Sequence, residues 1–463
     1  MSLTLKSNVN FTGDSSRLPA SNAPLPDNAT AYLDFEHGLY IIRNVSTGEV
    51  FRTSNINDLL SFSREGATTR MGPTGFIESV ISGQPSFEYD MNTGERLGIR
   101  IAPAASNAAI NSQDQTASNY TRSGVSVSKV AGSPDGGNNG TVITESTDNS
   151  IHALIESNWA SAAGFTKLIT FSIYVKMGTA RYVQLAAHQG AYDVWANYDL
   201  QNGLVTRRTG YVQNADIVPA PDGYWRISMT SVMNTGARHP TIAFINDNPL
   251  ADVVPAYVGT GKTATVWGCQ IESNEGPTPL VITGATTATR QIDALAIDGE
   301  TWPVFNGAAF SVFAEGITPE VYGNLQGDYE GGEALFSVDN KSSAENFVRL
   351  AVRARTVQNG TAALSSFKSS VQTYIDCGPY SYTPGSTVAF ITSVGDGSGR
   401  AWDGRHLFSG SLDLGDGFNR LLIGRSRNLD AKTYIWGGII KRVVLYPQAL
   451  TTEQMKRQFA SLF

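Results

Sequence analysis

A two-residue rhythm restricts this chain more than any other feature. In TFSIYVKM, Phe171, Ile173, Val175 and Met177 fall on one side of an extended backbone, and Ser172, Tyr174 and Lys176 on the other. That alternation belongs to a strand with one face in a core. YWRISMTSV repeats it with Trp225, Ile227 and Met229 inward, and VWGCQIE with Trp267, Cys269 and Ile271 inward. Turn-forming clusters (MGTAR, QNG, APDG and GTGKT) separate the runs, and no helix-period stretch lies between them. The spacing predicts an antiparallel two-sheet sandwich or jelly roll over residues 113–282. Charged residues are only 16%, against about 25% in an average protein. Gly, Ser, Thr and Asn fill the difference, a mixture that suits tight turns between strands.

The rest of the chain is organised around that unit. Pro277 and Pro279 end the last strand, because proline cannot donate to a sheet ladder. Residues 283–295, polar and rich in threonine, read as a solvated linker. Residues 296–463 form a second predicted sandwich, from FSVFAEG, EALFSVDN, NFVRLAVRAR, TVAFITSV, NRLLIGR and WGGIIKRVVLYP, with two Asp-Gly hairpin steps at Asp396 and Asp403. The chain closes on a helix in which Thr451 and Gln454 fit a capping box and Met455, Phe459 and Leu462 share a face. Residues 31–112 read as a small mixed leader or neck. It has a hairpin turning near His37-Gly38, a short helix capped by Ser54 or Asn55, and two strands around Asn92-Thr93-Gly94. Residues 1–30 read as an extended arm, in which Leu3, Leu5, Val9 and Phe11 are the apolar anchors for a partner's sheet edge. The fold class expected is therefore all-β.

Composition excludes several functions. The net charge is −7 and no basic run of four occurs, so a nucleic-acid partner is not expected. No 18-residue apolar run is present, so no membrane insertion is expected. Cys269 and Cys377 lie too far apart in sequence for a disulfide framework or a zinc cluster and read as buried thiols. The start of the chain has no signal-peptide pattern, and folding in a reducing cytosol is expected. A low-charge β-protein made in the cytosol yet built like an extracellular one fits a virion component assembled in host cytoplasm and released by lysis.

A resemblance supports that class. TFSIYVKMGTARYVQL, PAPDGYWRISMT and VWGCQIESNEGPTPLVITGATTATRQID occur in that order. They resemble the carbohydrate-binding-module-like domain of tailed-phage fibre and head-spike proteins, with Cys269 where that family has alanine. The stretch FSREGATTRMGPTGFIESVISGQPSFEYDMNTGERLGIRI resembles the same family's leader, although IRIAPAASNAA departs from it. RAWDGRHLFSG, LLIGR and IIKRVVLYPQALTTEQM are similar to laminin-G or concanavalin-A-like lectin sandwiches. These resemblances imply a fibre or spike on head or tail, docked to other virion proteins by its arm and binding host surface glycan, with a homotrimer as the implied assembly. The alternatives are a glycan depolymerase and a purely structural capsid decoration protein.

No catalytic motif stands out, and no catalytic residue, metal or cofactor is expected. Gly259–Thr263 lacks the upstream glycine and the following helix of a phosphate loop. None of His37, His152, His188, His239 and His406 pairs at metal-ligand spacing. Asp396, Asp403, Asp413 and Asp416 surround hairpin glycines; turn chemistry accounts for them, with calcium loops as the alternative. Paired carboxylates for sugar hydrolysis form no local motif. Aromatic planes that can stack on sugar rings are the better lead. Tyr192, Trp195 and Tyr198 in GAYDVWANYDL, and Trp402 in a hairpin, are the candidate glycan contacts, with a place in the core as the alternative for Trp195, which falls between alternate strand residues.

Overall fold

The expected strands form, and one bulge sets which way their side chains face. In the computed structural model, described for residues 25–157, 168–188, 194–232, 239–319, 333–341, 346–356, 359–369, 371–377, 385–426 and 435–463, strands dominate and Thr452–Leu462 is the one α-helix among these residues. Leu168–Met177 pairs with Tyr224–Val232 so that Phe171 faces Met229, Ile173 faces Ile227 and Val175 faces Trp225. Its other neighbour, Thr263–Glu272, shifts register between Ser172 and Tyr174. The shift sits at Gly268, whose φ of +64° is the left-handed conformation a bulge requires. Parity breaks there. Cys269 and Ile271 enter the sandwich core with Val266, as expected for the first two. Trp267, read as facing the same way, turns to the opposite face and packs on Tyr174, Leu280 and Ile77. Met177, also read as inward, is exposed at the strand end.

The central sandwich has two six-stranded antiparallel sheets. One runs Tyr120–Ser123, Ala153–Glu156, His239–Phe244, Tyr182–His188, Val194–Asp199, Leu204–Arg208. The other runs Val125–Val130, Gly140–Glu145, Thr263–Glu272, Leu168–Met177, Tyr224–Val232, Val212–Ala220. Its polar outer residues are covered too: buried Thr170 donates to Asn274 O, and half-buried Arg226 donates to Thr278 O. The chain after Glu272 thus folds back over the sheet, although the strand itself ends as expected.

The outer sandwich is larger than its sequence segment. Its ten-stranded sheet contains Ala31–Asp34, which pairs on one side with Leu39–Arg43 and on the other with Ile439–Tyr446, Ala31 opposite Leu445. The facing seven-stranded sheet ends on Ser61–Ser63, paired with Ala294–Asp298. Phe35, Tyr40, Ile42, Ile99 and Ile101 lie in one core with Val443 and Leu445. The strands Ala31–Asp34, Leu39–Arg43, Val50–Thr53, Ser61–Ser63, Ser86–Tyr89 and Arg96–Arg100 are therefore built into this sandwich, whereas Ile77 and Ala109 pack with residues of the central one. The local details expected of the neck stand: the turn at Gly38, the Asn55 cap on Ile56–Asp58 and the hairpin Ser86–Tyr89/Arg96–Arg100. The closing helix has its Thr451–Gln454 capping box, and buries Met455 and Phe459 against Phe313 and Ile391.

The central sandwich is consequently an insertion between two parts of the outer one. The chain leaves through Ala105–Asn107 and returns through Ala288–Arg290, and these two pair with each other. The expected solvated linker is exposed over residues 284–287 and is pinned at its ends. Thr283 donates to Ala109 O at 2.6 Å, and its N–H donates to Ser112 Oγ at 2.9 Å. Arg290 is fully buried and donates to Thr68 Oγ1, Pro279 O and Pro103 O. Arg64 pairs with Asp293 at 3.2 Å with both side chains out of solvent. Residues with polar side chains form the seam because each finds a partner; buried polar groups need one.

Candidate functional site

An open pocket of about 410 Å³ lies against the segment 54–96 of the outer sandwich. Local chemistry builds each wall. Asn55 accepts from Asn57 N and donates to Asp58 Oδ1, while Thr53 Oγ1 donates to Asp58 Oδ2 at 2.6 Å. Buried Ile56 anchors this turn from beneath. The turn is held without using the side chains of Ser54 or Asn57, which stay exposed at the pocket. Across from it, the hairpin Thr68–Met71/Ile77–Val80 brings Arg70 and Ser79, and the following turn brings exposed Ile81 and Gln84. Arg70 donates from Nε and Nη2 to Glu78 Oε2, so its charge is met.

The floor is a guanidinium on a ring. Arg96 lies over Phe87 at 3.5 Å from the ring centroid. Its Nη2 donates to the Tyr40 hydroxyl at 2.9 Å, and its Nε is buried without a partner. Burial pushes the Tyr40 phenol up, against the pull of Arg96, so the hydroxyl keeps its proton and meets Arg96 as an acceptor. The neighbouring Arg100 is paired with Glu88 at 2.6 Å. Among the described residues no carboxylate pairs with Arg96, so the pocket carries a surplus positive charge in a chain of net charge −7. The lining contains no carboxylate, imidazole or thiol. The arrangement can hold a polar or anionic ligand.

The expected aromatic contacts lie elsewhere. Tyr192, like Leu3, Leu5, Val9 and Phe11, lies outside the described residues. Trp195 and Tyr198 are three positions apart on one strand and so point to opposite faces. Tyr198 is 0% exposed in the central core, its hydroxyl donating to Ser228 O at 2.7 Å. Trp195 is buried under Val253 and Val254 on the outer face, with the Arg207 guanidinium 4.9 Å from its ring. Neither can reach a sugar as folded, because packing that fills the core also removes the ring faces. Trp402 is half-buried against the closing helix, with Lys456 Nζ 5.3 Å from its ring. The structure does not bring these residues to one place.

Other sequence features resolve into local chemistry. Thr260 donates from N and Oγ1 to Glu145 Oε1, so the Gly259–Thr263 loop spends its donors on its own chain. Asp396 occupies a left-handed turn position. Asp403 accepts from the Arg405 and His406 N–H groups, and Asp413 pairs with Lys368. His37 gathers with Asp34 and Glu36 in a grouping that histidine spacing did not reveal. Lys441 stands 3.3 Å from Glu36 and Arg442 stands 3.7 Å from Asp34, which supplies the cluster with positive charge. Both cysteines are buried and free, as expected, and burial pushes the Cys377 thiol up to about 12. Among the described residues no helix is long and apolar enough to cross a membrane.

No protein-family model matches this sequence, and no curated protein matches it. Several solved structures are similar in part. One is the Ruminococcus gnavus IT-sialidase CBM40 bound to alpha2,3 sialyllactose, at 13% identity over 33% of this chain and 82% of that one, TM-score 0.26. Another is Domain 4 of AbnA, a GH43 extracellular arabinanase from Geobacillus stearothermophilus, in complex with arabinotriose, at 18% identity over 36% and 72%, TM-score 0.25. A third is the mouse laminin alpha1 chain, domains LG4-5, at 10% identity over 77% and 95%, TM-score 0.23. The similar structures thus include a carbohydrate-binding module, a domain of an arabinanase and laminin G domains, and sialidases, such as that of Trypanosoma rangeli, are among them too. The likeness is too slight to bear on what this chain binds.

Proposed function

We propose that this chain is a non-enzymatic bacteriophage virion protein, a fibre or spike on head or tail, that binds a glycan of the host surface. One observation carries the binding half: the pocket at Arg96. It gathers the exposed side chains of Ser54, Asn57, Ser79 and Gln84 around the guanidinium of Arg96, which has no carboxylate partner among the described residues. The virion half rests on the resemblance of TFSIYVKMGTARYVQL, PAPDGYWRISMT and the segment ending in TRQID to tailed-phage fibre and head-spike proteins. A single shallow site binds sugar weakly, and a symmetric trimer of such chains, anchored by residues 1–30 to other virion proteins, gains by avidity.

The test of binding is ligand-observed NMR of the full chain with host capsule or lipopolysaccharide fragments. Saturation transfer that disappears on mutation of the pocket is expected; transfer to none of the fragments would refute the reading. New reducing ends released by the protein would show a depolymerase instead. Particles lacking residues 1–30 of this chain are expected to lose one kind of appendage when imaged.

A further inference from the structure

We infer that the Arg96 pocket is selective for acidic sugars, with Arg96 receiving a carboxylate and the surrounding amides and hydroxyls receiving the ring. This rests on the glycan-binding reading above and sharpens it to one ligand chemistry. The argument begins with what the pocket withholds. Recognition of a neutral sugar draws on an open aromatic plane against the C–H face of the ring. Phe87 is the aromatic residue of the lining, and the guanidinium of Arg96 already lies on its face at 3.5 Å. The apolar surface that remains comes from aliphatic residues such as Val80, Ile81 and Pro85. A neutral ring loses its usual source of affinity here.

What the pocket offers instead is charge in a fixed orientation. Stacking on Phe87 and the bond to Tyr40 hold the guanidinium plane in place. A pre-oriented fork suits the two oxygens of a carboxylate. Arg70, the other cation of the lining, is neutralised by Glu78, and Arg100 on the same strand as Arg96 by Glu88. Among the described residues Arg96 is therefore the cation of the lining without a carboxylate partner, and because its Nε is buried an outside anion is left to the terminal nitrogens. A bare inorganic anion does not explain the rest. The side chains of Ser54, Asn57, Ser79 and Gln84 stand exposed around a space of about 410 Å³, within the range of about 300–1,000 Å³ typical of small-molecule sites. A carboxylated ring uses both sets of groups: the acid goes to Arg96, and the hydroxyls go to the serines and amides.

The experiment uses the full-length chain and three probes: methyl glucuronoside, methyl glucoside and inorganic phosphate, each titrated by ligand-observed NMR at low and physiological salt. The glucuronoside is expected to bind at least about tenfold more tightly than the glucoside, and Arg96→Gln to remove about 10- to 100-fold of its affinity, the range for one charge-assisted contact. Equal binding of both glycosides, with Arg96→Gln indifferent, overturns acid selectivity and leaves glycan binding standing. Binding of neither glycoside overturns the inference together with the reading beneath it. Phosphate binding as tightly as the glucuronoside overturns the sugar part. Because Arg96→Gln also removes the Phe87 stack, the Asn57→Ala/Gln84→Ala variant provides a second handle. It leaves that stack intact and is expected to weaken the glucuronoside several-fold without changing phosphate; no change in the glucuronoside overturns the assignment of the ring to these amides.

Discussion

Replacing Asp293 with alanine tests whether the seam between the two sandwiches is held by charge. Asp293 accepts from Arg64 Nη1 at 3.2 Å and from Ala102 N at 2.8 Å, and is almost wholly buried. Arg290, 0% exposed, lies in its field and in that of Glu272; burial pushes this guanidinium down to about 10, which still leaves it protonated at neutral pH. Removing the carboxylate strands two guanidiniums, Arg64 and Arg290, and frees the Ala102 N–H. Breaking a buried pair by deleting one partner costs about 3–5 kcal/mol, and an orphaned buried donor costs about 1–3 kcal/mol. These overlap, so about 4 kcal/mol is expected in total, a large share of the ~5–15 kcal/mol that holds a domain folded. With a urea m-value of about 3 kcal/mol per molar, the unfolding midpoint of the outer sandwich moves down by roughly 1.3 M. Tryptophan fluorescence follows it, since Trp436 is fully buried in that core and Trp267 in the central sandwich. Asp293→Asn keeps an acceptor for Ala102 and is expected to lose less. The same variants report on the seam by proteolysis: faster cleavage of Asp293→Ala than of the wild type is the expected pattern. A midpoint shift worth less than about 1 kcal/mol would refute the reasoning.

Three further outcomes are expected. Gly268→Ala puts a Cβ 2.8 Å from Tyr174 Cδ2 at a residue with φ +64°; left-handed strain and overpacking together cost about 2–4 kcal/mol, measured by chemical denaturation. Tyr198→Phe loses the bond to Ser228 O and about 1 kcal/mol of stability, while saturation transfer from glycans stays unchanged; a change in transfer would return Tyr198 to the binding site. Asp199 accepts two hydrogen bonds from Arg181, which hold its carboxyl below the ordinary range together with the Gln201 and Asn202 N–H groups. A carboxylate with a depressed folded pKa contributes stability above its unfolded pKa and loses it as pH falls through the folded one. Asp199→Asn is therefore expected to cost about 2 kcal/mol at pH 7, with the gap to wild type closing between about pH 5 and pH 2; a pH-independent gap would contradict the assignment.

Local rules made the elements legible, and distance hid their arrangement. Alternation located the strands around Ile173, Ile227 and Ile271 because side-chain period is a property of the strand alone. It misplaced Trp267, since the bulge at Gly268 flips every later residue and a glycine within a strand does not announce its φ. Ala31–Asp34 could not be assigned to Ile439–Tyr446, because a backbone ladder leaves no mark in side-chain identity. Thr283 and Arg290 looked solvated for a similar reason: their partners, Ala109, Ser112, Thr68 and Pro103, come from far upstream. The pocket was half visible. The turn at Asn92-Thr93-Gly94 already set Phe87 and Arg96 on facing strands of one hairpin, whereas the wall from Ser54 to Asn57 arrives only through packing. Sugar-stacking chemistry favoured the richest aromatic cluster, and that cluster was rich because it builds a core.

The pairing of Ala31–Asp34 with Ile439–Tyr446 also imposes a timetable on synthesis. Thr30 reaches Leu445 across 415 positions, and ribosomes add about 5–20 residues per second, so the first strand waits roughly 20–80 s for its neighbour. During that interval one edge of Ala31–Asp34 is unpaired, since Leu39–Arg43 covers only its other side, and an open edge is a template for unwanted association, while the inserted sandwich already holds every strand it needs. A nascent chain that stalls before Ile439 carries a finished middle and an unsealed beginning, the form a chaperone or protease can single out.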